Sequence, residues 1–173
     1  MTSTETLTME RFREAMSSFP SGVTIVTTAD EHGTWRGFTA SSFCSVSMRP
    51  PLVLVCLANT AECHSAFRSG ERWLVHIISD EHTDLAKRFA TRGADKFADA
   101  GFSADDGGLP LLADAAVKLT CDTYAIHSAG DHTILVGRVT RAETSEQTPT
   151  VYYRRRFHPL ALDSSNGVPI SAP

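Results

Sequence analysis

Several things are missing from this sequence, and each absence removes a class of protein. No uninterrupted apolar run approaches the ~18–20 residues needed to span a bilayer. The longest, Leu52 to Ala58, has the size of a strand. The first eight residues are polar and lack the charged-then-apolar layout of a secretion signal. A cytoplasmic protein that touches no membrane is therefore expected. There is no basic excess: 16 Lys and Arg stand against 20 Asp and Glu, a formal net charge of −4. That argues against a general nucleic-acid binder. Cysteine is scarce and scattered, with Cys44, Cys56, Cys63 and Cys121 forming no C-x-x-C pair. Three of the four lie in apolar, strand-like contexts, and buried free thiols are expected. Cys63 and His64 are adjacent and so badly placed to chelate one ion. No H-E-x-x-H appears either, so no metal is expected. No G-x-G-x-x-G follows a strand, and neither G-x-x-x-x-G-K-[ST] nor G-x-S-x-G occurs. A Rossmann fingerprint, a P-loop and a hydrolase nucleophile elbow are thus absent.

What is present fits one domain. A chain of 173 residues buries about 70% of its unfolded surface on folding and needs no covalent staples. The domain is expected over residues 9–160, with flexible tails at 1–8 and 161–173, the latter rich in Ser, Asn, Gly and Pro. Met9, Phe12, Ala15, Met16 and Phe19 recur at helical spacing after a Thr8 cap, and Pro20 and Gly22 end the pattern. Val23 to Thr28 is a β-branched run that predicts a strand. A turn over Asp30 to Gly33 joins it to a second strand, Trp35 to Phe43. Leu52 to Leu57 reads as a buried strand. Thr60 is placed to cap a short helix ending near Gly70, and Arg72 to Ile78 reads as another strand. A helix follows from Thr83, with Leu85, Ala86, Phe89 and Ala90 on one face. Ala115, Val117, Leu119, Cys121 and Thr123 alternate with polar residues, the clearest period-two strand of the chain. After the Ala129–Asp131 turn, Thr133 to Val139 returns as its hairpin partner, and Val151 to Tyr153 adds a short strand. Strands in hairpin-like succession, rather than β-α alternation, predict a mainly β (α+β) fold. The expected form is an antiparallel, closed or nearly closed barrel with two or three short flanking helices.

Four features carry candidate chemistry, and each has a plain structural alternative. The stretch Gly37 to Leu52 is dense in small hydroxyl residues (Thr39, Ser41, Ser42, Ser45, Ser47) and ends in Pro50-Pro51. It is either an edge strand with polar residues facing water or a shelf of donors for a planar polar ring and a phosphate. It is read as lying outside the core. Asn59-Thr60 is either an ordinary helix cap or an anion site at a helix start. Gly130-Asp131-His132 marks a hairpin; a turn explains the first two residues and leaves His132 open. Arg154 to Arg156 beside Tyr152 and Tyr153 is either a solvated charge run or a contact surface.

Six segments occur in order. They are G-F-T-A-S-S-F (37–43), S-V-S-M-R-P-P-L (45–52), Asn59-Thr60, H-T-D-L-A-K-R-F-A (82–90), A-D-K-F-A (94–98) and A-G-D-H-T-I-L-V-G-R-V (129–139). Together they resemble the short-chain flavin reductases that serve two-component flavin-dependent monooxygenases. Reductases of phenol and 4-hydroxyphenylacetate hydroxylases and of aromatic polyketide antibiotic pathways are among these. The resemblance covers roughly residues 9 to 157. It implies a flavin-binding split β-barrel of Greek-key type, and a homodimer with flavin near the subunit interface. It further implies reduction of FMN or FAD by NADH or NADPH, with reduced flavin diffusing to a separate monooxygenase. Carried over residue by residue, it places Thr39, Ala40, Ser41 and Ser42 on the isoalloxazine and ribityl chain. Ser45, Val46 and Ser47, with Pro51 behind them, form a second wall. Asn59 and Thr60 fall on the flavin tail, and Arg88 and Phe89 near phosphate and ring, with Lys96 and Phe97 beside them. His132 is placed next to the nicotinamide as the catalytic residue, and Tyr152 and Arg154 near the pyridine nucleotide.

Hydride transfer between nicotinamide and flavin needs no protein acid or base in its central step, which agrees with the missing triad and carboxylate pair. Two other readings use a related barrel. A non-enzymatic flavin-binding or sensor module would need no nicotinamide site. An oxidase of the pyridoxamine-phosphate type would need a basic phosphate pocket, and no clear one is visible in the sequence.

Overall fold

The computed structural model describes residues 7–161. The tails expected at 1–8 and 161–173 lie for the most part outside the described residues. The chain opens with α1 (Met9–Ser17) and the strands β1 (Ser21–Gly22), β2 (Thr24–Ala29), β3 (Trp35–Ala40), β4 (Cys44–Met48) and β5 (Pro51–Ala58). Helix α2 (His64–Ser69) and β6 (Arg72–Ile77) follow, and a 3₁₀ turn (Asp80–His82) leads into α3 (Thr83–Ala90). A small hairpin, β7 (Phe102–Ala104) and β8 (Pro110–Leu112), precedes a long one, β9 (Val117–Ala129) and β10 (His132–Thr144). Strands β11 (Thr150–Tyr153) and β12 (Arg156–Pro159) close the described chain.

Seven strands form one antiparallel sheet in the order β3-β2-β6-β9-β10-β5-β4. Strands β2 and β6, and β5 and β10, are neighbours in space but not in sequence, which gives the crossovers of the expected Greek-key split barrel. The sheet does not close: β3 and β4 are its two edges and do not pair with each other. Full closure, one of the two forms read from the strand succession, is thus not reached.

The central strands explain their sequences. Ile25 and Val26 are both fully buried yet belong to different core clusters, because successive residues of a strand point to opposite faces. Val26 joins Val55, Leu57, Phe67, Trp73 and Val75 inside the barrel, whereas Ile25 joins Ile78, Ala86, Phe89 and Leu112 under α3. A strand covered on both faces reads as a continuous β-branched run, and β2 does so. The β7–β8 hairpin and its loop are fastened over β2 and β3 by side chains. Thr27 Oγ1 donates to Pro110 O at 2.6 Å, and Trp35 Nε1 donates to Gly108 O at 3.1 Å.

Several expectations change. The strand from Trp35 stops at Ala40 instead of Phe43. Helix α2 starts at His64, so Thr60 lies in the preceding turn and caps nothing. Thr83 is already inside α3 rather than before it, because the 3₁₀ turn supplies the entry. Cys63 and Cys121 are buried free thiols and Cys56 is half-buried, but Cys44 sits exposed on the edge strand β4. Thr8 does cap α1, its side chain accepting from Arg11 N. Yet no residue of α1 is buried, and the stripe of Met9, Phe12 and Met16 is exposed. Arg154 and Arg155 adopt left-handed backbone at the β11–β12 turn, and Arg154 N donates to Ser17 O at 2.7 Å, anchoring α1.

His76 on β6 is wholly buried. Its Nδ1 donates to Ile25 O at 3.0 Å and its Nε2 accepts from Leu112 N at 3.2 Å, so the ring bridges two strands in its neutral form. Burial is the main cause that lowers its pKa from 6.5 to about 4. Between those values the unfolded chain binds a proton that the folded chain refuses. The stabilisation is full above pH 6.5 and is lost as pH falls towards 4, by roughly 3 kcal/mol at most. Chemical denaturation across this range is expected to show that acid loss in the native chain and a clearly shallower one in a His76→Gln variant.

Candidate active site

Helix α3 packs on the outer face of β3 and β2, on the side of Ile25 and away from the barrel interior. A side chain at Gly37 on β3 would place its Cβ 2.7 Å from Phe89 Cε1 and 3.0 Å from Val26 O, so only a bare Cα lets the helix come this close. Thr39 Oγ1 fixes the same contact by donating to Ala86 O at 2.7 Å. Beside this packing lies a cavity of about 520 Å³, within the range typical of small-molecule and cofactor sites.

One wall of the cavity is the β3 segment Trp35 to Thr39, and another is the end of β5, Cys56 to Ala58. Phe89 and the loop after α3 form the floor, and Thr60 to Cys63 and His132 complete it. The rings are set edge to face: Trp35 against Phe97 at 5.5 Å between centroids, and Phe89 against Phe97 at 5.1 Å. Arg36, Arg92 and Lys96 bring cations to the lining, with Glu62 and Asp95 among them. Glu62 Oε2 accepts from Gly93 N at 3.1 Å, and Glu62 Oε1 lies 3.7 Å from Arg92 Nε, which ties the α3 loop across the cavity. Lys96 Nζ donates to Thr91 O at 2.7 Å within that loop. Burial pushes the Cys63 thiol up to about 11, so it is no nucleophile at neutral pH.

His132 enters from the β9–β10 turn. Its Nδ1 lies 2.7 Å from Asp131 Oδ1, and this hydrogen bond is the first cause that lowers the Asp131 pKa. The carboxylate therefore takes the Nδ1 proton as its partner and leaves Nε2 as the ring's other polar atom.

Of the residues singled out in the sequence, Thr39, Thr60, Phe89, Lys96, Phe97 and His132 line one cavity. The others lie elsewhere in the chain. Ala40 is buried in the core, and Ser41 is exposed between β3 and β4. Ser45 and Val46 are exposed on β4, Ser47 beside them is half-buried, and Pro51 is exposed at the start of β5. Ser42 Oγ accepts from Cys56 N at 2.9 Å, stapling the β3–β4 link to β5. Arg88 Nη1 donates to Ala98 O at 2.8 Å and braces the α3 loop from outside. Asn59 is bound to the turn beside His132, with Asn59 N donating to Asp131 O at 2.9 Å. Tyr152 belongs to the three-stranded sheet β1-β11-β12, where it packs on Phe157, and Arg154 sits in the β11–β12 turn.

Trp35 and Arg36, which directly precede the hydroxyl-rich stretch, and Gly37 and Phe38, which open it, also line the cavity and were not among the expected site residues. Glu62 and Arg92 were missed as well. An aromatic-cation pair, Trp35-Arg36, at a strand start was the available signal. Among the described residues no group of three or more His, Cys, Asp or Glu is placed to hold a metal, and no helix is long and apolar enough to cross a membrane.

The sequence matches the flavin reductase like domain over residues 16–161. The chain belongs to the flavin reductase-like family. It is 45% identical over 161 residues to the actinorhodin polyketide dimerase of Streptomyces coelicolor, covering 92% of this chain and 90% of that one. It is 43% identical over 152 residues to the NADH:riboflavin 5'-phosphate oxidoreductase of Streptomyces pristinaespiralis, covering 86% of each. Among solved structures, the Streptomyces globisporus C-1027 NADH:FAD oxidoreductase SgcE6, in complex with NAD and FAD fragments, superposes with a TM-score of 0.85 at 31% identity. That match covers 92% of this chain and 99% of that one. The flavin reductase PheA2 gives a TM-score of 0.82 at 34% identity, covering 90% and 100%.

Ser42 illustrates how placement changes a role. Its hydroxyl is the partner of a β5 backbone N–H, so this edge does contribute to stability. Ser42→Ala is expected to lower the unfolding free energy by about 1–2 kcal/mol, the cost of leaving that donor unpaired, and urea denaturation of the two proteins reads the difference.

Proposed function

We propose that this flavin reductase-like chain reduces FMN or FAD with NADH or NADPH, and supplies reduced flavin to a separate monooxygenase by diffusion. It does so as one domain over residues 9–160. The observation that carries this reading is the cavity, which joins an aromatic, cation-bearing end to a histidine whose proton is fixed by a carboxylate. The relatives named for flavin reduction with NADH support it.

The residues present fit a flavin. Trp35, Phe89 and Phe97 offer flat apolar surface to a ring system. Arg36, Arg92 and Lys96 bring positive charge where a phosphate needs it. The buried Cys63 thiol of the lining stays protonated and is not set up for covalent attachment. When bound, flavin and nicotinamide supply the hydride-transfer chemistry between them. The chain's part is to orient and enclose. β3 and α3 hold the ring wall rigid through Gly37 and Thr39. Asp131 holds the proton on Nδ1 of His132, so Nε2 would be the atom to accept a hydrogen bond from the carboxamide of a bound nicotinamide and orient it.

Two apolar surfaces stay uncovered in the single chain: the α1 stripe, and Val46 and Met48 on the edge strand β4. A homodimer that buries them is the assembly this reading includes, since exposed apolar patches of this kind mark interaction sites. Sedimentation is expected to give the mass of two chains.

A non-enzymatic flavin-binding module would use the same ring wall but has no need of a held His132. Purified protein mixed with FMN or FAD and NADH or NADPH decides the matter. The expected result is rapid nicotinamide oxidation with bleaching of flavin absorbance, and an oxygenase behind a dialysis membrane is still fed. No nicotinamide oxidation at any flavin concentration overturns the reading. In His132→Ala, kcat/KM for NADH is expected to fall about tenfold, the loss of one hydrogen bond of about 1–1.5 kcal/mol, while the flavin dissociation constant barely moves.

A further inference from the structure

The segment Gly130-Asp131-His132-Thr133 is held at every residue. The backbone N–H of Asn59 donates to Asp131 O at 2.9 Å, and its side-chain Nδ2 donates to Gly130 O at 3.3 Å. Asn59 Oδ1 accepts from Thr133 Oγ1 at 2.8 Å. His64 Nε2 stands 2.9 Å from the same Thr133 hydroxyl, and Thr133 is only 3% exposed. Asp131 Oδ1 meets His132 Nδ1.

The directions of these bonds are forced. Gly130 O is an acceptor only, so the Asn59 amide must face it with its NH₂ group and turn Oδ1 to Thr133. The Thr133 hydroxyl has one proton and gives it to Asn59. It must therefore accept from His64, whose Nε2 carries a proton. His64 opens α2, and Phe67 of that helix is packed in the barrel core. A line of hydrogen bonds thus runs from the core through His64, Thr133 and Asn59 to the two carbonyls of the turn that presents His132. β-pairing fixes the backbone of His132 between Ala58 and Ala129 and of Thr133 between Leu57 and Ser128, and so closes the turn at its base. The carbonyls of Gly130 and Asp131 beyond that pairing are the ones Asn59 binds.

We propose that Asn59, Thr133 and His64 are positioning residues that hold the Gly130–His132 turn so that the His132 imidazole addresses the nicotinamide. The inference rests on the reading of His132 given above. It also gives Asn59 a task within the chain in place of a contact with the flavin tail.

Thr133→Val keeps the shape and removes the hydroxyl, and Thr133→Ser keeps the hydroxyl. Thr133→Val is expected to lower kcat/KM for NADH by about five- to tenfold with an unchanged flavin dissociation constant, and Thr133→Ser is expected to recover most of it. In a His132→Ala background the same Thr133→Val change is expected to have little further effect, because the lost contact is already absent. Equal losses in both backgrounds mean a merely structural hydroxyl and overturn the proposal. Nitrogen-15 NMR of the His132 ring gives a readout independent of kinetics. The ring signals are expected to shift or broaden in Thr133→Val and return in Thr133→Ser, and unchanged signals overturn the proposal. If His132→Ala leaves NADH kinetics intact while the ring signals still respond, the nicotinamide role of His132 has failed and the proposal falls with it, although the hydrogen-bonded hold on the turn is real. Should Thr133→Val not fold, Asn59→Ala at an exposed position carries the same measurements. Lost flavin affinity with normal NADH kinetics in that variant overturns the proposal and returns Asn59 to the flavin.

Discussion

Helix α3 lies on β3 at a residue with no side chain, and Phe89 fills the space where a Cβ of Gly37 would stand. Much of the site depends on this close approach. The seven-stranded sheet stays open between its edges β3 and β4, and α3 lies on the outer face of β3 and β2. Phe89 meets Phe97 edge to face and lies tilted against Phe102, and Thr39 fastens the helix by its Ala86 carbonyl. The loop after α3 is then braced by Arg88 on Ala98 and by Glu62 on Gly93. What remains beside the packed helix is the cavity. One wall of it is thus set by how closely α3 sits on β3.

The chemistry of the site follows from the same economy. A reaction carried by two bound cofactors asks the protein for rigidity, a shaped wall and a few fixed dipoles, rather than a strong acid or nucleophile. The groups near the cavity answer to this. Burial keeps the Cys63 thiol protonated, and the ionised Asp131 holds its neighbour's ring. The cations on the lining are partly balanced, Arg36 by Asp30 at 2.9 Å and Arg92 by Glu62 at 3.7 Å, which limits the pull on an anionic ligand.

Much of the fold was legible because its signals are local. The β-branched run at Val23 to Thr28, the alternation through Val117 to Thr123 and the turn at Gly130-Asp131 are each decided by a few neighbouring residues, and each became the element expected. The short strands β1, β7, β8 and β12 were not legible, because two to four residues give no usable period. β4 is the edge strand with polar residues facing water that was one of the two readings of its stretch. Helix α1 shows the reverse case: its apolar stripe is plain in the sequence, but a stripe states that a face needs covering and not what covers it.

By itself the sequence determined the class of fold, the order of the main strands and helices, and some of the residues that line the cavity. Periodicity, turn residues and the in-order motifs all act over short stretches of chain. Only the tertiary structure decided which polar side chains are used up in holding the fold. Thr39 and Ala86 are 47 residues apart, Ser42 and Cys56 are 14 apart, and Asn59 and Thr133 are 74 apart. A hydroxyl or an amide reads the same in sequence whether it faces a ligand or a distant carbonyl. Its single proton and its lone pairs are committed only when the barrel brings that partner within 3 Å.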